Sequence, residues 1–463
     1  MKDRDTKMER KATMVKDLTE GKVVPLLLRF ALPLFVSNAL QAVYNVVDMV
    51  VVGNYIGKAG MSAVSIGGDL LHLLTFVAMG FCSAGQVIIA RAVGEKRPDD
   101  IRKTIGTMFS FLLSASAAIS LVCYLLRASL LSWLNTPAAA HDFAMDYLVT
   151  CICGLVFIYG YNIVSAILRG MGDSKRPFLF IAIAAILNMV LDVLFVKYGH
   201  MEVFGAALAT VIGQGVSFLA SLVYLYRRRE SFGFDFKPAS FRIDGPAFRR
   251  LLALGIPMAI QSAAVNLSKI VLMSWINLFD VTYSALAGIF NKLNTMCGVI
   301  SQSFTTAGST MVGQNLGARK HKRVNETLVT LLLIELGFST ALTIIMLLLP
   351  QGVYGMFTPD PDVLSTAAVL TIPVILNFYG AATRSVAFSL INGSGRPKLN
   401  LAVAIIDGMI SRIGLAALFG FVLHWDCFGF WMGDALAGFM PFLIGSVFYM
   451  SGRWRVSLTR ERP

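Results

Sequence analysis

Long apolar runs alternate with short polar segments along almost the whole chain, and each run has the length of one membrane-spanning helix. A helix needs about 20 predominantly apolar residues to cross a bilayer, so these runs predict twelve spans. The predicted spans cover residues 27–52, 62–90, 104–126, 143–168, 178–197, 203–226, 250–278, 283–312, 327–349, 364–392, 399–423 and 428–450. The pattern therefore predicts an all-α integral membrane protein with twelve transmembrane helices.

The composition agrees with lipid as the solvent for this chain. Hydrophobic residues make up 56% of the 463 residues, and charged residues make up 14%, whereas soluble domains have roughly 25% charged residues. A soluble protein of this size could not bury so much apolar surface. The formal net charge of +13 then reflects which side of the membrane holds the basic residues, and it does not indicate a nucleic-acid partner.

The distribution of Lys and Arg predicts the orientation of the chain. If the N-terminus is cytoplasmic, 33 of the 40 Lys and Arg residues lie on the cytoplasmic side, three lie in outer loops and four lie within spans. Because cytoplasmic loops are enriched in basic residues, we expect both termini in the cytoplasm and the protein in the plasma (inner) membrane. Residues 1–24 are then a retained cytoplasmic arm and not a signal peptide, and residues 453–463 are a cytoplasmic tail.

The chain consists of two similar halves. The longest polar stretch between spans, a cytoplasmic linker at 230–249, separates an N-lobe at 25–229 (spans 1–6) from a C-lobe at 250–452 (spans 7–12). Both halves begin in the cytoplasm, so they are parallel repeats, which often build a transporter with a central cavity between its lobes. The recurring motifs are Leu-Pro at 32–33 and Ile-Pro at 256–257, Ser-Ala-Val at 62–64 and Ser-Ala-Leu at 284–286, Ala-Gly at 84–85 and 307–308, and Gly-x-Gly at 170–172 and 393–395.

Three motifs resemble those of the multidrug and toxic compound extrusion (MATE) transporters, most closely the DinF-type branch. Residues 47–53 read Val-Asp-Met-Val-Val-Val-Gly, residues 168–177 read Leu-Arg-Gly-Met-Gly-Asp-Ser-Lys-Arg-Pro, and residues 205–210 read Gly-Ala-Ala-Leu-Ala-Thr. An Asn-x-x-x-Asp motif, Asn188 to Asp192, follows the second of them. The resemblance implies a V-shaped fold of two six-helix lobes. It also implies export of drugs or metabolites against an inward flow of protons or sodium ions.

Polar residues inside the spans predict a cation site in the N-lobe. Inserting a carboxylate into the membrane costs about 2.5–3.5 kcal/mol, so the presence of Asp48 and Asp192 inside spans requires an explanation. Asn188 lies one turn from Asp192 on the same helix face, and Thr210 lies at a similar predicted depth. Their oxygen atoms suit a small hard cation, and two neighbouring carboxylates repel each other, so that one of them can hold a proton. The alternative is that both carboxylates only cap or pair locally.

The resemblance adds one residue to this site, and predicted depth adds another. In the family, the matching residues form the cation and proton site together with a backbone carbonyl one turn before the threonine, which is that of Ala206 here. Tyr147, near the predicted outer end of span 4, could complete the network, although an interfacial tyrosine is an equally good interpretation. We expect a proton, a sodium ion or both as the coupling ion, with no other metal and no cofactor.

The C-lobe has a different charge pattern. One branch of the family places a carboxylate in each of the seventh and tenth spans, whereas these spans here contain Lys269 and Arg384 and no carboxylate. The basic residues inside the spans need counter-charges, which Glu335, Asp407 and Asp434 can supply. A buried structural ion-pair network is one interpretation, and a site for an anionic substrate is the other. The predicted polar network consists of Lys269, Lys292, Arg384, Arg412 and Asp407.

Two prolines lie at equivalent positions early in spans 1 and 7, at Pro33 and Pro257. A proline inside a helix removes one backbone hydrogen bond and kinks the helix. Matched kinks in the two lobes suggest helices that bend to gate the cavity, and fixed structural kinks are the alternative.

Together these features predict a cation-coupled antiporter that exports amphipathic or cationic small organic compounds by alternating access. We expect it to work as a monomer in the bilayer. The alternative is a flippase for lipid-linked oligosaccharides or lipids from the same superfamily. The sequence contains no Walker, H-E-x-x-H or G-x-S-x-G motif and its loops are short, so it does not indicate an enzyme.

Overall fold

The computed structural model describes residues 16–231 and 233–455 as long helices joined by short connections. Eleven helices in this part of the chain are long and apolar enough to cross a membrane. A twelfth, with 37 residues, occupies the position of predicted span 8. In chain order the helices are α1 (Val23–Tyr55), α2 (Lys58–Gly94), α3 (Pro98–Leu125), α4 (Ala138–Gly170), α5 (Lys175–Tyr198), α6 (Glu202–Arg227), α7 (Gly245–Ile276), α8 (Val281–Gly317), α9 (His321–Leu348), α10 (Pro361–Ser394), α11 (Pro397–Val422) and α12 (Asp426–Met450).

The prediction of an all-α membrane protein is confirmed. A bilayer core offers no water to backbone N–H and C=O groups, so each crossing segment must satisfy them within its own helix. Helix α8 is not among the eleven helices that are apolar enough to cross a membrane, because polar side chains such as Asn291, Lys292 and Asn294 interrupt its hydrophobic sequence. Residues 1–15 of the predicted arm and residues 456–463 of the predicted tail lie outside the described residues.

The part of the predicted N-terminal arm that is described packs against the protein. Leu18 and Thr19 are buried. The ammonium group of Lys320 donates a hydrogen bond to the Thr19 carbonyl oxygen at 3.0 Å, and the Arg323 guanidinium donates to the Gly21 carbonyl oxygen at 2.7 Å. These contacts fix the chain just before α1 begins.

Contacts divide the chain into two compact units. Unit 1 contains Leu32–Leu252, and unit 2 contains Leu18–Ala31 together with the chain from Ala253 onward. The first turns of α1 therefore belong to unit 2, and the first turns of α7 belong to unit 1. Each of these helices changes unit a few residues before its internal proline, Pro33 in α1 and Pro257 in α7.

Equivalent helices form the centre of each unit. In unit 1, α4 packs against α2, α3 and α6, and α5 packs against α6. In unit 2, α10 packs against α8, α9 and α12, and α11 packs against α12. The two sets of contacts follow the same order along the chain, as the repeat in the sequence predicts.

The repeated Gly-x-Gly motif has the same function in both units. Gly172 and Gly395 follow α4 and α10 with φ angles of 85° and 66°, a left-handed conformation that glycine adopts without steric cost. A Cβ atom on Gly170 would lie 2.8 Å from a backbone oxygen of α2, and one on Gly393 would lie 2.8 Å from a backbone oxygen of α8. The motif thus ends each central helix and lets that helix approach its neighbour closely.

We predict that Gly393→Ala destabilises the protein by about 1–3 kcal/mol, as overpacking does at tight contacts. The new methyl group would force α8 and α10 apart. Gly337→Ala in α9 is a matched control, because a Cβ atom there would have no neighbour within 4 Å. Thermal unfolding in detergent should show a lower Tm for the first variant and an unchanged or higher Tm for the second. Equal Tm values for both variants would contradict the proposed close packing.

Candidate functional site

The structure brings Asp48 of α1, Asn188 and Asp192 of α5 and Thr210 of α6 together in unit 1. Asp48 and Asp192 are buried, with 7% and 0% of their surface exposed, and their carboxylates interact electrostatically. Asn188 is buried as well. Four polar groups from three helices therefore converge in an apolar region, as the predicted depths require.

Asn188 connects the two sides of this network. Its amide lies 3.2 Å from the Thr210 hydroxyl oxygen. With the amide nitrogen facing Asp192, Asn188 donates a hydrogen bond to Oδ2 of Asp192 at 3.3 Å. Its oxygen then accepts from the N–H and the hydroxyl group of Thr210, both at 3.2 Å. This orientation satisfies both ends of the amide and holds the Asp192 carboxylate in place.

Each carboxylate keeps one oxygen without a hydrogen-bond partner, namely Oδ1 of Asp48 and Oδ1 of Asp192. Buried polar atoms are normally hydrogen-bonded, so two such atoms on neighbouring carboxylates need an explanation. A proton on one carboxylate, or a small cation between them, would satisfy these oxygens and remove their mutual repulsion.

Two further residues complete the predicted set around this network. Ala206 is fully buried in α6, one turn before Thr210. Tyr147 of α4 is 4% exposed, which places it in the interior of unit 1, and it interacts electrostatically with Asp48. A Cβ atom on Gly67 would lie 2.4 Å from the Tyr147 ring, so this glycine in α2 makes room for the ring.

Sequence reasoning missed two residues at this site, Tyr44 and Gln214. The Tyr44 hydroxyl lies within hydrogen-bonding reach of Gln214 and interacts electrostatically with Asp48 and Asp192. Both residues line a small cavity beside Asn188 and Thr210. Helical spacing could have found them, because Tyr44 lies one turn before Asp48 and Gln214 lies one turn after Thr210.

A polar stripe on α2 was also missed. Ser65, Asp69 and His72 are spaced three and four residues apart, and all three are exposed. Side chains at this spacing share one helix face. A carboxylate inside a membrane span faces water or a polar cavity in preference to lipid, so Asp69 is a further candidate polar residue of unit 1. The rule that singled out Asp48 also applies to Asp69.

The predicted polar network of the C-lobe is found only in part. Arg412 forms ion pairs with Asp434 and Asp407, and Arg384 lies 3.7 Å from Asp407. Lys269 interacts electrostatically with this group. The structure therefore brings four of the five predicted members together and adds Asp434.

Lys292 and Glu335 lie outside this charged cluster. The ammonium nitrogen of Lys292 lies 5.9 Å from the centre of the Phe357 ring, and the Lys292 side chain is exposed. Glu335 is buried and accepts a hydrogen bond from the Ser301 hydroxyl group at 3.0 Å. Of the three counter-charges that the sequence offered, only Asp407 and Asp434 form ion pairs with the intramembrane arginines.

Comparison with known proteins places this helical repeat in a family. The MatE family model matches residues 33–194 and 257–418, one match for each half of the chain. The probable multidrug resistance protein YpnP of Bacillus subtilis is 28% identical, with 95% of this chain and 97% of that protein covered. The probable multidrug resistance protein NorM of Thermotoga maritima is 23% identical over 94% of each chain.

A solved structure with the same fold is the crystal structure of MATE in the bent conformation. It is similar with a TM-score of 0.85 and 21% sequence identity, and the similarity covers 95% of this chain and 96% of that one. The fold is therefore that of a protein built from two repeats. The chain belongs to the MatE family, the multidrug and toxic compound extrusion transporters.

Membership in the family confirms several predictions made from the sequence. The family consists of membrane transporters and not of enzymes. Its members transport small-molecule drugs and use ion gradients to do so. The flippase alternative is not favoured, because the similar proteins are described as multidrug resistance proteins.

We predict that replacing one of the paired carboxylates with its neutral amide, Asp192→Asn or Asp48→Asn, makes the protein more stable in detergent. Functional sites often hold groups that cost stability, and an amide removes the repulsion between the two carboxylates. The gain in Tm should be larger at alkaline pH than at acidic pH, because only a charged carboxylate is costly to bury. Asp146→Asn, at an exposed residue of α4, is the matched control. A lower Tm for both site variants at alkaline pH would show that the carboxylates serve mainly to stabilise the fold.

Proposed function

We propose that this transporter exports amphipathic organic compounds in exchange for protons or sodium ions, which bind at the network of Asp48, Asn188, Asp192 and Thr210. The observation that carries this proposal is the pair of buried carboxylates, each with one oxygen that lacks a hydrogen-bond partner. Such a pair has a strong preference for one added positive charge. A site with that preference can take up energy from a gradient of small cations.

The ligand set suits either coupling ion. A proton needs only one carboxylate oxygen, while a sodium ion needs several oxygen ligands. Oxygens of Asp48 and Asp192, the Thr210 hydroxyl group, the Asn188 amide and the Ala206 carbonyl would supply them. The small cavity beside Asn188 and Thr210 is our candidate for the path by which the ion reaches the carboxylates.

The substrate class is proposed from the similar proteins and from the polar face of α2. Several relatives are described as multidrug resistance proteins, which favours varied organic compounds over a single metabolite. The stripe of Ser65, Asp69 and His72 would offer polar contacts to such compounds in unit 1. We also propose that the protein lies in the plasma membrane as a monomer, with both termini in the cytoplasm.

Exchange requires that one occupant disfavours the other. Linkage makes this antagonism reciprocal, so that the cation weakens substrate binding by the same factor by which the substrate weakens cation binding. Our candidate for the coupling element is α1, which carries Asp48 and contains Pro33 near the residue at which it changes unit. Cation binding at Asp48 would favour one bend of this helix at Pro33.

We predict that Asp192→Asn reduces coupled efflux to the level of protein-free vesicles while expression and folding stay normal. The reason is that an amide cannot take up a proton or neutralise a cation. Efflux should be measured in proteoliposomes with an imposed proton gradient and, separately, an imposed sodium gradient, and the gradient that drives efflux identifies the coupling ion. Asp146→Asn is the control. Wild-type rates in Asp192→Asn, or no efflux by the wild-type protein under either gradient, would contradict the proposed function.

The double variant tests whether Asp48 and Asp192 act as one site. Residues that share a site show non-additive losses, so Asp48→Asn with Asp192→Asn should be little worse than the worse single variant. Fully additive losses would mean that the two carboxylates act independently.

We predict that Pro33→Ala still binds substrate but loses most of the response of substrate binding to pH or sodium. Restoring the missing backbone hydrogen bond would straighten α1 and separate cation binding from bending. Pro257→Ala is a matched control in the other repeat, where the two carboxylates, Asp407 and Asp434, pair with Arg412. Substrate binding should be titrated in detergent at two pH values, with and without sodium. An undiminished response in Pro33→Ala would mean that the coupling element is a different part of the chain.

A further inference from the structure

The charged cluster of unit 2 consists of Lys269, Arg384, Asp407, Arg412 and Asp434, and it uses the same helices of the repeat as the cation network of unit 1. These residues lie on α7, α10, α11 and α12. Their counterparts α1, α4, α5 and α6 carry Asp48, Tyr147, Asn188 with Asp192, and Thr210. The repeat thus assembles a polar network from four equivalent helices in each unit. The charged groups of the unit 1 network are carboxylates, whereas most of those in the unit 2 cluster are cations.

With every group counted as ionised, the cluster has one more positive than negative charge. Arg412 is 2% exposed and pairs with both carboxylates, Asp434 and Asp407. Arg412, Asp407 and Asp434 together carry one net negative charge, which Arg384 balances. Lys269 then adds one positive charge, and the described residues contain no carboxylate within 4.0 Å of its ammonium group. A buried cluster with an uncompensated charge is costly unless a ligand or water neutralises it.

The two cations that lack full partners are also the accessible ones. The Arg384 side chain keeps 23% of its exposure, whereas that of Asp407 keeps 1%. Lys269 is half-buried. The carboxylates are therefore more deeply buried than these two cations.

The contact between Arg384 and Asp407 leaves hydrogen-bonding capacity unused. The distance from Nε of Arg384 to Oδ2 of Asp407 is 3.7 Å, which is too long for a hydrogen bond. Accordingly, neither of these two atoms has a hydrogen-bond partner. Arg384 is thus held near the cluster by charge, and its buried Nε donor is left unsatisfied.

The other titratable groups nearby form no ion pair with Lys269 or Arg384 among the described residues. Glu335 on α9 accepts a hydrogen bond from Ser301, and Lys292 on α8 lies against Phe357. Cys297 on α8 interacts electrostatically with Arg384, but a buried thiol is neutral and offers no compensating charge. Within the described part of unit 2, the anionic neighbours of these two cations are Asp407 and Asp434, which Arg412 already engages.

The backbone around the cluster is closely packed. A π-helical segment, Ile406–Ser411, contains Asp407 and directly precedes Arg412, and such segments are frequent at functional sites. A Cβ atom on Gly408 would lie 2.6 Å from the side chain of Ala264 on α7, and one on Gly433 would lie 2.3 Å from the backbone of α11. Helices α7, α11 and α12 thus meet at close range and hold the charged groups in fixed positions.

We propose that Lys269 and Arg384 bind a carboxylate group of the exported compound. The surplus of one positive charge matches the single negative charge of a carboxylate. An arginine can donate two parallel hydrogen bonds to its two oxygens, and a lysine adds a third donor. This inference rests on the proposed function as an exporter of amphipathic compounds, and it narrows that class to compounds that carry an acidic group.

The test compares two dyes that differ only at one group. Rhodamine 19 carries a free carboxylate, and rhodamine 6G is its ethyl ester. Binding of each dye to purified protein in detergent should be measured by fluorescence anisotropy, and efflux of each should be measured in proteoliposomes under the gradient that drives transport. We expect wild-type protein to bind the acid about tenfold more tightly than the ester, as the loss of one charged hydrogen-bonded contact predicts.

The decisive variant is Lys269→Gln, which removes the surplus charge without breaking an ion pair of the cluster. It should abolish the preference for the acid and leave binding of the ester unchanged. Arg384→Gln should have the same effect on dye preference, and its folding can be checked by Tm because Asp407 then loses a neighbour. Lys292→Gln, which removes a cation of the same unit outside the cluster, is the matched control and should keep the wild-type preference.

The outcomes separate this inference from the proposed function. Efflux of both dyes with equal affinity for acid and ester would overturn the carboxylate site and leave coupled export standing. An equal loss of binding of both dyes in Lys269→Gln would also overturn it, since the lysine would then serve folding or coupling. Failure of the wild-type protein to bind either dye would likewise count against the carboxylate site. Absence of gradient-driven efflux for every compound tested would instead contradict the proposed function.

Discussion

A charged side chain inside a bilayer must be neutralised by a partner or reached by water, because hydrocarbon offers it no hydrogen bonds. This constraint explains how the polar residues of both units are arranged. Arg412 meets it through ion pairs with Asp407 and Asp434, although its buried Nε has no hydrogen-bond partner. Asp48 and Asp192 meet it only in part, since each keeps an oxygen without a partner. Incomplete compensation of a buried charge is the physical property that a site for a mobile charge requires.

The helices could be predicted from the sequence because the bilayer imposes one simple rule on each of them. A crossing segment must be apolar and about 20 residues long, and short connections leave few alternatives for pairing. Helix α8 shows the limit of this rule, because its polar residues, Lys292 among them, place it outside the apolar set. The alternation of basic loops and the internal repeat nevertheless require a helix at that position. The reading of long apolar runs also predicted a span there, at 283–312, so the three patterns agree.

The candidate site could be predicted only where a residue is costly by itself. Asp48 and Asp192 stand out in any apolar run, and the helical period connects Asn188 to Asp192. Tyr44 and Gln214 are ordinary residues of membrane helices, and only the packing of α1 against α5 and α6 brings them to the same cavity. The sequence likewise offered Glu335, Asp407 and Asp434 as equal counter-charges. The choice among them depends on which helix faces point toward each other, and hydropathy contains no information about that.

The two units show how one scaffold can hold charges of opposite sign. In each unit the first helix of the repeat meets the fifth and sixth helices, and both fifth helices, α5 and α11, contain π-helical segments. These helices fix where polar groups meet, and the side chains at those points decide whether the network attracts a cation or an anion. The two networks share no residue, so a substitution in one does not remove a contact of the other. A transporter built from such repeats can therefore keep a cation network in one unit for coupling while the other unit adapts to the charge of the substrate.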